Sequence, residues 1–131
     1  MHGAEFIATA LSSGAAAILT DADGARIAAE ALAGSDAALI VTDDPRQTLS
    51  FTAALWFGAQ PATMVAVTGT NGKTSVATFV RQIWNELGHE AVNLGTTGGE
   101  GSWTAPLKHT TPEPITLHRV LAQAAAEGVT H

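Results

Sequence analysis

Short apolar runs alternate with alanine-rich segments along the first 60 residues of the chain. The spacing of the apolar positions predicts helices over 4–12, 25–33 and 45–58, and strands over 15–19 and 38–42. Asp44 followed by Pro45 predicts the start of the third helix, because aspartate is a favoured N-cap and proline a favoured first helical residue. The alternation predicts an α/β fold.

The second half begins with a predicted strand over 64–67, which runs into the glycine-rich sequence TGTNGKTS and then a helix over 74–87. A strand over 91–94, a polar loop over 95–111 and a last helix over 114–127 complete the pattern. A strand, a crossover helix and a second strand of this length predict a right-handed unit with parallel strands.

The helix over 74–87 has apolar residues at steps of three and four, which places them on one face. The predicted apolar face consists of Val76, Phe79, Val80, Ile83, Trp84 and Leu87. The residues predicted to face away are Arg81, Gln82, Asn85 and Glu86. Gly88 follows the helix and predicts its end.

Composition and charge exclude several classes of protein. The 131 residues are 46% apolar and carry a net charge of −6, without clustered lysine or arginine. We therefore expect no nucleic-acid or membrane partner, because both attract basic patches. The chain has no cysteine, and its first residues, MHGAEF, lack the layout of a signal peptide. These features favour a cytoplasmic protein.

The glycine-rich segment between the predicted strand and helix is suited to hold phosphate. Glycines there allow positive φ, so that several backbone N–H groups point into a concave site at a helix N-terminus. The Lys73 ammonium could reach the outer phosphates of ATP as a catalytic cation, and the Thr74 hydroxyl could coordinate Mg²⁺. The predicted ATP-binding residues are Gly69, Thr70, Asn71, Gly72, Lys73, Thr74 and Ser75.

The match to the strict phosphate-loop pattern is incomplete. That pattern requires glycine five positions before Gly72, where this chain has Val67. The alternative is a Gly-Asn turn that joins a strand to a helix without binding anything. The lysine, the two hydroxyl residues and the flanking elements favour the phosphate loop.

These residues resemble a known family. The sequence TGTNGKTS over 68–75 resembles the ATP-binding loop of the Mur ligases, which build the peptide stem of bacterial peptidoglycan; a residue other than glycine at position 67 is normal there. Folylpolyglutamate synthases have a similar loop. The flanking sequences DDPRQTLSFTAALWFGAQP, LGTTG and HTTPEPITLHRVLAQAAAEGVTH resemble the Mur ligase branch that adds the third amino acid of the stem.

The resemblance implies an ATP-dependent amide ligase with roles in cell wall biogenesis, cell shape and cell division. In that branch ATP phosphorylates the glutamate carboxylate of UDP-MurNAc-L-Ala-D-Glu, and the amino group of meso-diaminopimelate or L-lysine attacks the acyl phosphate. The substrate-contact residues implied by the resemblance are His109, Thr110 and Thr111. For Thr111 the alternative is a helix cap, since proline and glutamate follow it. His109 could be a solvated loop residue.

The resemblance also predicts how the chain is divided. Residues 1–60 are predicted to form a truncated N-terminal domain for the UDP-linked substrate, and residues 61–131 the first part of the central ATP-binding domain. Both ends of the pattern look cut, so we expect the chain to be an inactive part of a ligase that can associate with itself. The alternatives are a stand-alone nucleotide-binding module and another member of the superfamily.

Overall fold

The computed structural model describes residues 2–95, 98–105 and 112–131. The chain divides into two compact units, Met1–Thr52 and Ala53–His131. Among the described residues, no helix is both long and apolar enough to cross a lipid bilayer. The predicted domain boundary at residue 60 stays a prediction.

The first unit is a small α/β arrangement, as predicted. A short 3-10 helix, Gly3–Phe6, leads into α1, and the later elements follow the predicted order with shifted ends. The elements are α1 (Ile7–Ser12), β1 (Ala17–Thr20), α2 (Ala22–Ile27), α3 (Ala29–Ala33), β2 (Ala38–Val41) and α4 (Pro45–Phe57), whose residues 53–57 belong to the second unit. Strands β1 and β2 pair in parallel, with Ala17 opposite Ala38. The α/β fold with parallel strands is therefore confirmed.

The core of this unit consists of small and branched apolar side chains. Ala4, Ile7, Ile18 and Ala28 are buried together, which packs the first two helices against β1. The predicted helix over 25–33 is two short helices that meet at Ala28. The first of them starts earlier than predicted, because the Asp21 side chain accepts a hydrogen bond from the Gly24 N–H at 2.7 Å and caps it.

The second unit contains α5 (Lys73–Glu86), β3 (Val92–Gly95), β4 (Gly98–Gly101) and α6 (Pro114–Ala126). Strands β3 and β4 form an antiparallel hairpin, with Val92 opposite Gly101. The predicted loop over 95–111 therefore contains a strand. The sequence of β4, GGEG, has no apolar side chain to signal a strand.

The strand predicted over 64–67 is wrong, and so is its parallel pairing with 91–94. Among the described residues, 64–67 make no ladder hydrogen bonds, and these residues are not assigned to a strand. The N–H of the preceding residue, Thr63, donates to the Thr130 carbonyl at 3.0 Å. An apolar run becomes a strand only when its backbone groups are paired.

The C-terminal residues run alongside the start of β3. The His131 N–H donates to the Glu90 carbonyl at 3.1 Å, and the Val92 N–H donates to the His131 carbonyl at 3.0 Å. This alternation is the hydrogen-bond pattern of a parallel pair. Residues 130 and 131 therefore connect the segment at Thr63 to β3 through backbone bonds.

The faces of α5 differ from the prediction. Val76, Phe79, Ile83 and Leu87 are 47%, 60%, 59% and 68% exposed. Val80 and Trp84 are half-buried, as is Arg81, which was predicted to face away. Arg81 and Asn85 both bond to the β3 segment. Two residues of the predicted polar face, Arg81 and Asn85, therefore attach α5 to this segment.

Candidate functional site

The predicted phosphate loop lies at the N-terminus of α5. Gly72 is the N-cap of this helix, with φ of 77°, and Gly69 has φ of 141°. Both values lie in the region that favours glycine, so the loop needs glycine at these two positions. The first helical hydrogen bond is donated by the Val76 N–H to the Gly72 carbonyl at 2.9 Å.

The N–H groups at this helix terminus are open. No side chain of the described residues caps the helix at Gly72, and the N–H groups of the first turn have no partner within the helix. Gly72, Thr74 and Ser75 are exposed to solvent. The start of α5 therefore presents unpaired donors together with the positive end of the helix dipole, which is the arrangement that binds anions.

Lys73 is the first residue of α5 and folds back over the loop. Its Nζ donates to the Gly69 carbonyl at 2.5 Å and to the Thr70 carbonyl at 3.4 Å. No carboxylate oxygen of the described residues lies within 4.0 Å of this ammonium group. Two neutral carbonyls therefore hold the lysine, and its charge adds to that of the helix terminus instead of cancelling it.

The donor set fits the phosphates of ATP. A triphosphate would accept hydrogen bonds from the first-turn N–H groups and would neutralise the Lys73 charge. The exposed Thr74 hydroxyl belongs to the oxygen donors that Mg²⁺ prefers. Thr70, Asn71 and Ser75 are also exposed along the same loop. The structure thus brings together the seven residues predicted from the sequence, and their role in ATP binding stays a prediction.

The three predicted substrate-contact residues, His109, Thr110 and Thr111, lie outside the described residues. The structure does bear on the alternative role of Thr111 as a helix cap. Helix α6 begins at Pro114, and the Glu113 side chain caps it by accepting from the N–H groups of Ile115 and Thr116, each at 2.8 Å. Glu113 is therefore the N-cap of α6, and both roles considered for Thr111 stay predictions.

The pKa of Glu113 is lowered by the hydrogen bonds that its carboxylate accepts at the start of α6. The hydroxyl of Thr116 donates to the Glu113 carboxylate and is the main reason that the pKa of Glu113 lies below 4.5. The backbone N–H groups of Thr116 and Ile115 act in the same direction. The negative form of the cap is thus the favoured one, which suits the positive end of α6.

A cavity of about 520 Å³ lies in the first unit. It opens at the carboxyl ends of β1 and β2, where open α/β sheets commonly bind ligands. Its charged lining consists of Asp21, Asp43, Asp44, Arg46 and His2. Three carboxylates against one arginine do not favour the diphosphate of a UDP-linked substrate. The loop at Lys73 is therefore the better candidate for a nucleotide site.

Comparison with known proteins identifies the family. Residues 67–131 match the Mur ligase middle domain. The chain is 48% identical over 130 residues to the UDP-N-acetylmuramoyl-L-alanyl-D-glutamate--2,6-diaminopimelate ligase of Brucella melitensis, covering 98% of this chain and 25% of that protein. It is 40% identical over 138 residues to the ligase of the same name from Caulobacter vibrioides, covering 100% of this chain and 27% of that protein.

A third relative is also similar over nearly the whole chain. The ligase of the same name from Corynebacterium glutamicum is 39% identical over 136 residues, covering 99% of this chain and 25% of that protein. The chain thus spans about a quarter of the length of the curated relatives it matches. The chain belongs to the Mur ligase family, and its residues 67–131 match the middle domain of that family.

Proposed function

We propose that the chain supplies the phosphate-binding part of an ATP-dependent ligase that joins meso-diaminopimelate to UDP-MurNAc-L-Ala-D-Glu. The observation that carries this proposal is the start of α5, where open N–H groups and the uncompensated Lys73 ammonium form one site for an anion. The names of the relatives support diaminopimelate as the amine substrate, and L-lysine is the alternative.

Within this function, the loop holds the triphosphate while its γ-phosphoryl group is transferred to the glutamate carboxylate. Lys73 then offsets the charge on the moving phosphoryl oxygens, and the first-turn N–H groups of α5 fix the phosphate chain. Mg²⁺, held in part by the Thr74 hydroxyl, would neutralise phosphate charge when bound. The diamino acid would next attack the acyl phosphate through its amino group, which releases phosphate and forms the amide.

The alternatives are a stand-alone nucleotide-binding module and another superfamily member such as a folylpolyglutamate synthase. Both would use the same loop, so its geometry alone does not separate them. The relatives matched over nearly the whole chain carry the diaminopimelate ligase name, which supports the ligase. We further propose a cytoplasmic location, because the substrates include ATP, and a role in cell wall biogenesis and hence in cell shape and division.

The proposal is tested by calorimetric titration of the chain with the Mg²⁺ complex of a non-hydrolysable ATP analogue. We expect Lys73→Ala to abolish binding, because the charge that attracts the phosphates is lost. Arg26→Ala is the matched control, since Arg26 is an exposed cation of the first unit that pairs with Asp23 at 2.9 Å. Equal affinity in the Lys73 variant and the parent chain would refute the phosphate loop.

We also propose that these 131 residues do not ligate on their own, because they cover about a quarter of the relatives' length. The chain would be incubated with ATP, UDP-MurNAc-L-Ala-D-Glu and meso-diaminopimelate. Mass spectrometry would then detect any tripeptide product. Product above a control without protein would show that the chain is a complete catalyst.

A further inference from the structure

The helix that follows the phosphate loop is attached to the β3–β4 hairpin by polar side chains. Arg81 of α5 donates from Nε to the Asn93 Oδ1 on β3 at 2.7 Å. One turn later, the Asn85 Oδ1 accepts a hydrogen bond from the Ala91 N–H at 3.2 Å. Residues four positions apart lie on one face of a helix, so both contacts come from the same side of α5.

The contact at Asn93 is part-buried, with Asn93 on its buried side. The Asn93 residue is 8% exposed, and its acceptor is matched to a charged donor, which makes a stronger hydrogen bond than two neutral groups do. The stem of Arg81 lies against Gly101 of β4, where an added Cβ would lie 2.2 Å from the Ala91 carbonyl oxygen and 2.9 Å from the Arg81 Cδ. Glycine at 101 therefore leaves the space in which this arginine lies.

Apolar packing of α5 is partial: Val80 and Trp84 are half-buried, and the Trp84 ring centroid lies 5.0 Å from that of His131. The apolar side chains on the other face of α5, at Val76, Phe79 and Ile83, are about half exposed. Arg81 is eight residues after Lys73, about 12 Å along the helix axis. Because an α-helix of this length is stiff, fixing its N-terminus also fixes the face that touches the hairpin.

We propose that Arg81 is a positioning residue that couples the phosphate loop to the β3–β4 hairpin. A nucleotide held at Lys73 fixes α5, and the Arg81–Asn93 bond fixes the hairpin relative to that nucleotide. The inference rests on the proposed ligase, in which a carboxylate must stay in line with the γ-phosphorus and small displacements are costly. The predicted substrate-contact residues follow the hairpin in the sequence. A hairpin fixed relative to the nucleotide would therefore help to align the substrate carboxylate with the γ-phosphorus.

Hydrogen exchange measured by mass spectrometry tests the coupling on the chain itself. Exchange is compared with and without the Mg²⁺ complex of a non-hydrolysable ATP analogue in the parent chain, Arg81→Ala, Arg81→Lys and the control Arg26→Ala. In the parent and control, we expect nucleotide to slow exchange at the start of α5 and, by at least about threefold, in β3 and β4. In Arg81→Ala the slowing at α5 should remain and that in the hairpin should disappear.

Arg81→Lys should restore part of the hairpin response, because lysine can donate to Asn93 but cannot fill the same space. If the circular dichroism of Arg81→Ala shows that it does not fold, two variants of Asn93 decide instead. Asn93→Leu removes the acceptor and should uncouple the hairpin. Asn93→Asp keeps an acceptor and should keep the hairpin coupled. The inference would be overturned if variants that lack the contact still bound nucleotide and showed the same slowing of exchange in the hairpin as the parent chain. No slowing at α5 in the parent chain would overturn the proposed function, and this inference with it.

Discussion

The His2 Nε2 lies 3.2 Å from the Asp21 Oδ2, and the two side chains connect the starts of two helices. The Ala4 N–H donates to the His2 Nδ1 at 3.1 Å, so His2 caps the 3-10 helix at Gly3–Phe6. Because Nδ1 accepts, the proton of the neutral ring is on Nε2, which donates to Asp21. Asp21 in turn caps α2 through the Gly24 N–H.

The acidity of Asp21 should depend on His2. The hydrogen bond from the Gly24 N–H is the main cause that lowers the pKa of Asp21 below 3.8, and the bond from His2 is the next. In His2→Ala we expect this pKa to rise but to stay below 3.8, because the Gly24 bond remains. Titration of the Asp21 carboxyl carbon by nuclear magnetic resonance measures the shift, and an unchanged pKa would contradict the assigned contact.

The cap at Asp21 should weaken in acid. Its pKa is lower in the folded chain than in the unfolded chain, so its contribution to stability is present above pH 3.8 and is lost as the pH falls through the lowered pKa. We expect the Gly24 amide to exchange faster in acid once the intrinsic rate has been corrected for. Asp21→Asn, which keeps an acceptor but cannot titrate, should not show this acid-dependent loss.

Lys73→Ala should leave the nucleotide-free chain almost as stable as before. The substitution removes two exposed hydrogen bonds to the Gly69 and Thr70 carbonyls, which is unfavourable. It also removes a cation from the positive end of α5, which is favourable by roughly 0.3–1 kcal/mol. We expect the two effects to offset each other, so that the free energy of unfolding measured in urea changes by less than about 1 kcal/mol. A large loss of stability would show that Lys73 is structural instead of ligand-binding.

Glu113, and not Thr111, should control the start of α6. Glu113→Ala removes the acceptor of the Ile115 and Thr116 N–H groups, so their amide exchange should accelerate. Thr111→Ala should leave both amides unchanged and is the matched control. The lowered pKa of Glu113 means that the cap is lost as the pH falls below 4.5 through that pKa. Equal acceleration in both variants would contradict this assignment.

The predicted role of Thr110 remains to be tested in a full-length ligase that contains this chain. Thr110→Ala should raise the Michaelis constant for UDP-MurNAc-L-Ala-D-Glu and leave that for ATP nearly unchanged, because the loop at Lys73 is intact. Steady-state kinetics with each substrate varied in turn measure the two constants. A change confined to thermal stability would indicate that Thr110 has no substrate contact.

Self-association is expected from the exposed apolar residues of α5. Phe79 and Ile83 are 60% and 59% exposed on adjacent turns, and such patches favour association. Sedimentation velocity at increasing concentration should show larger species in the parent chain and fewer in Phe79→Lys. Gln82→Lys places the same charge on an exposed polar position of the helix and is the control. Equal association of the parent chain, Phe79→Lys and Gln82→Lys would show that this face of α5 does not mediate self-association.

Local sequence determined the elements whose signals lie within a few residues. Asp44 caps α4 by accepting from the Gln47 N–H at 2.9 Å, and Gly88, with φ of 85°, follows the end of α5. Gly72 likewise has the positive φ expected of the phosphate loop. These features could be predicted because a cap or a positive φ depends on one residue and its immediate neighbours.

Tertiary structure decided what the local pattern could not. The apolar run over 64–67 is not a strand because strand formation needs a paired backbone, whereas β4 is a strand in spite of its glycines because β3 pairs with it. Helical periodicity shows which residues share a face, but not what covers it. Arg81 therefore forms a part-buried hydrogen bond to Asn93, twelve residues away in the chain, and only the folded hairpin brought the two residues together.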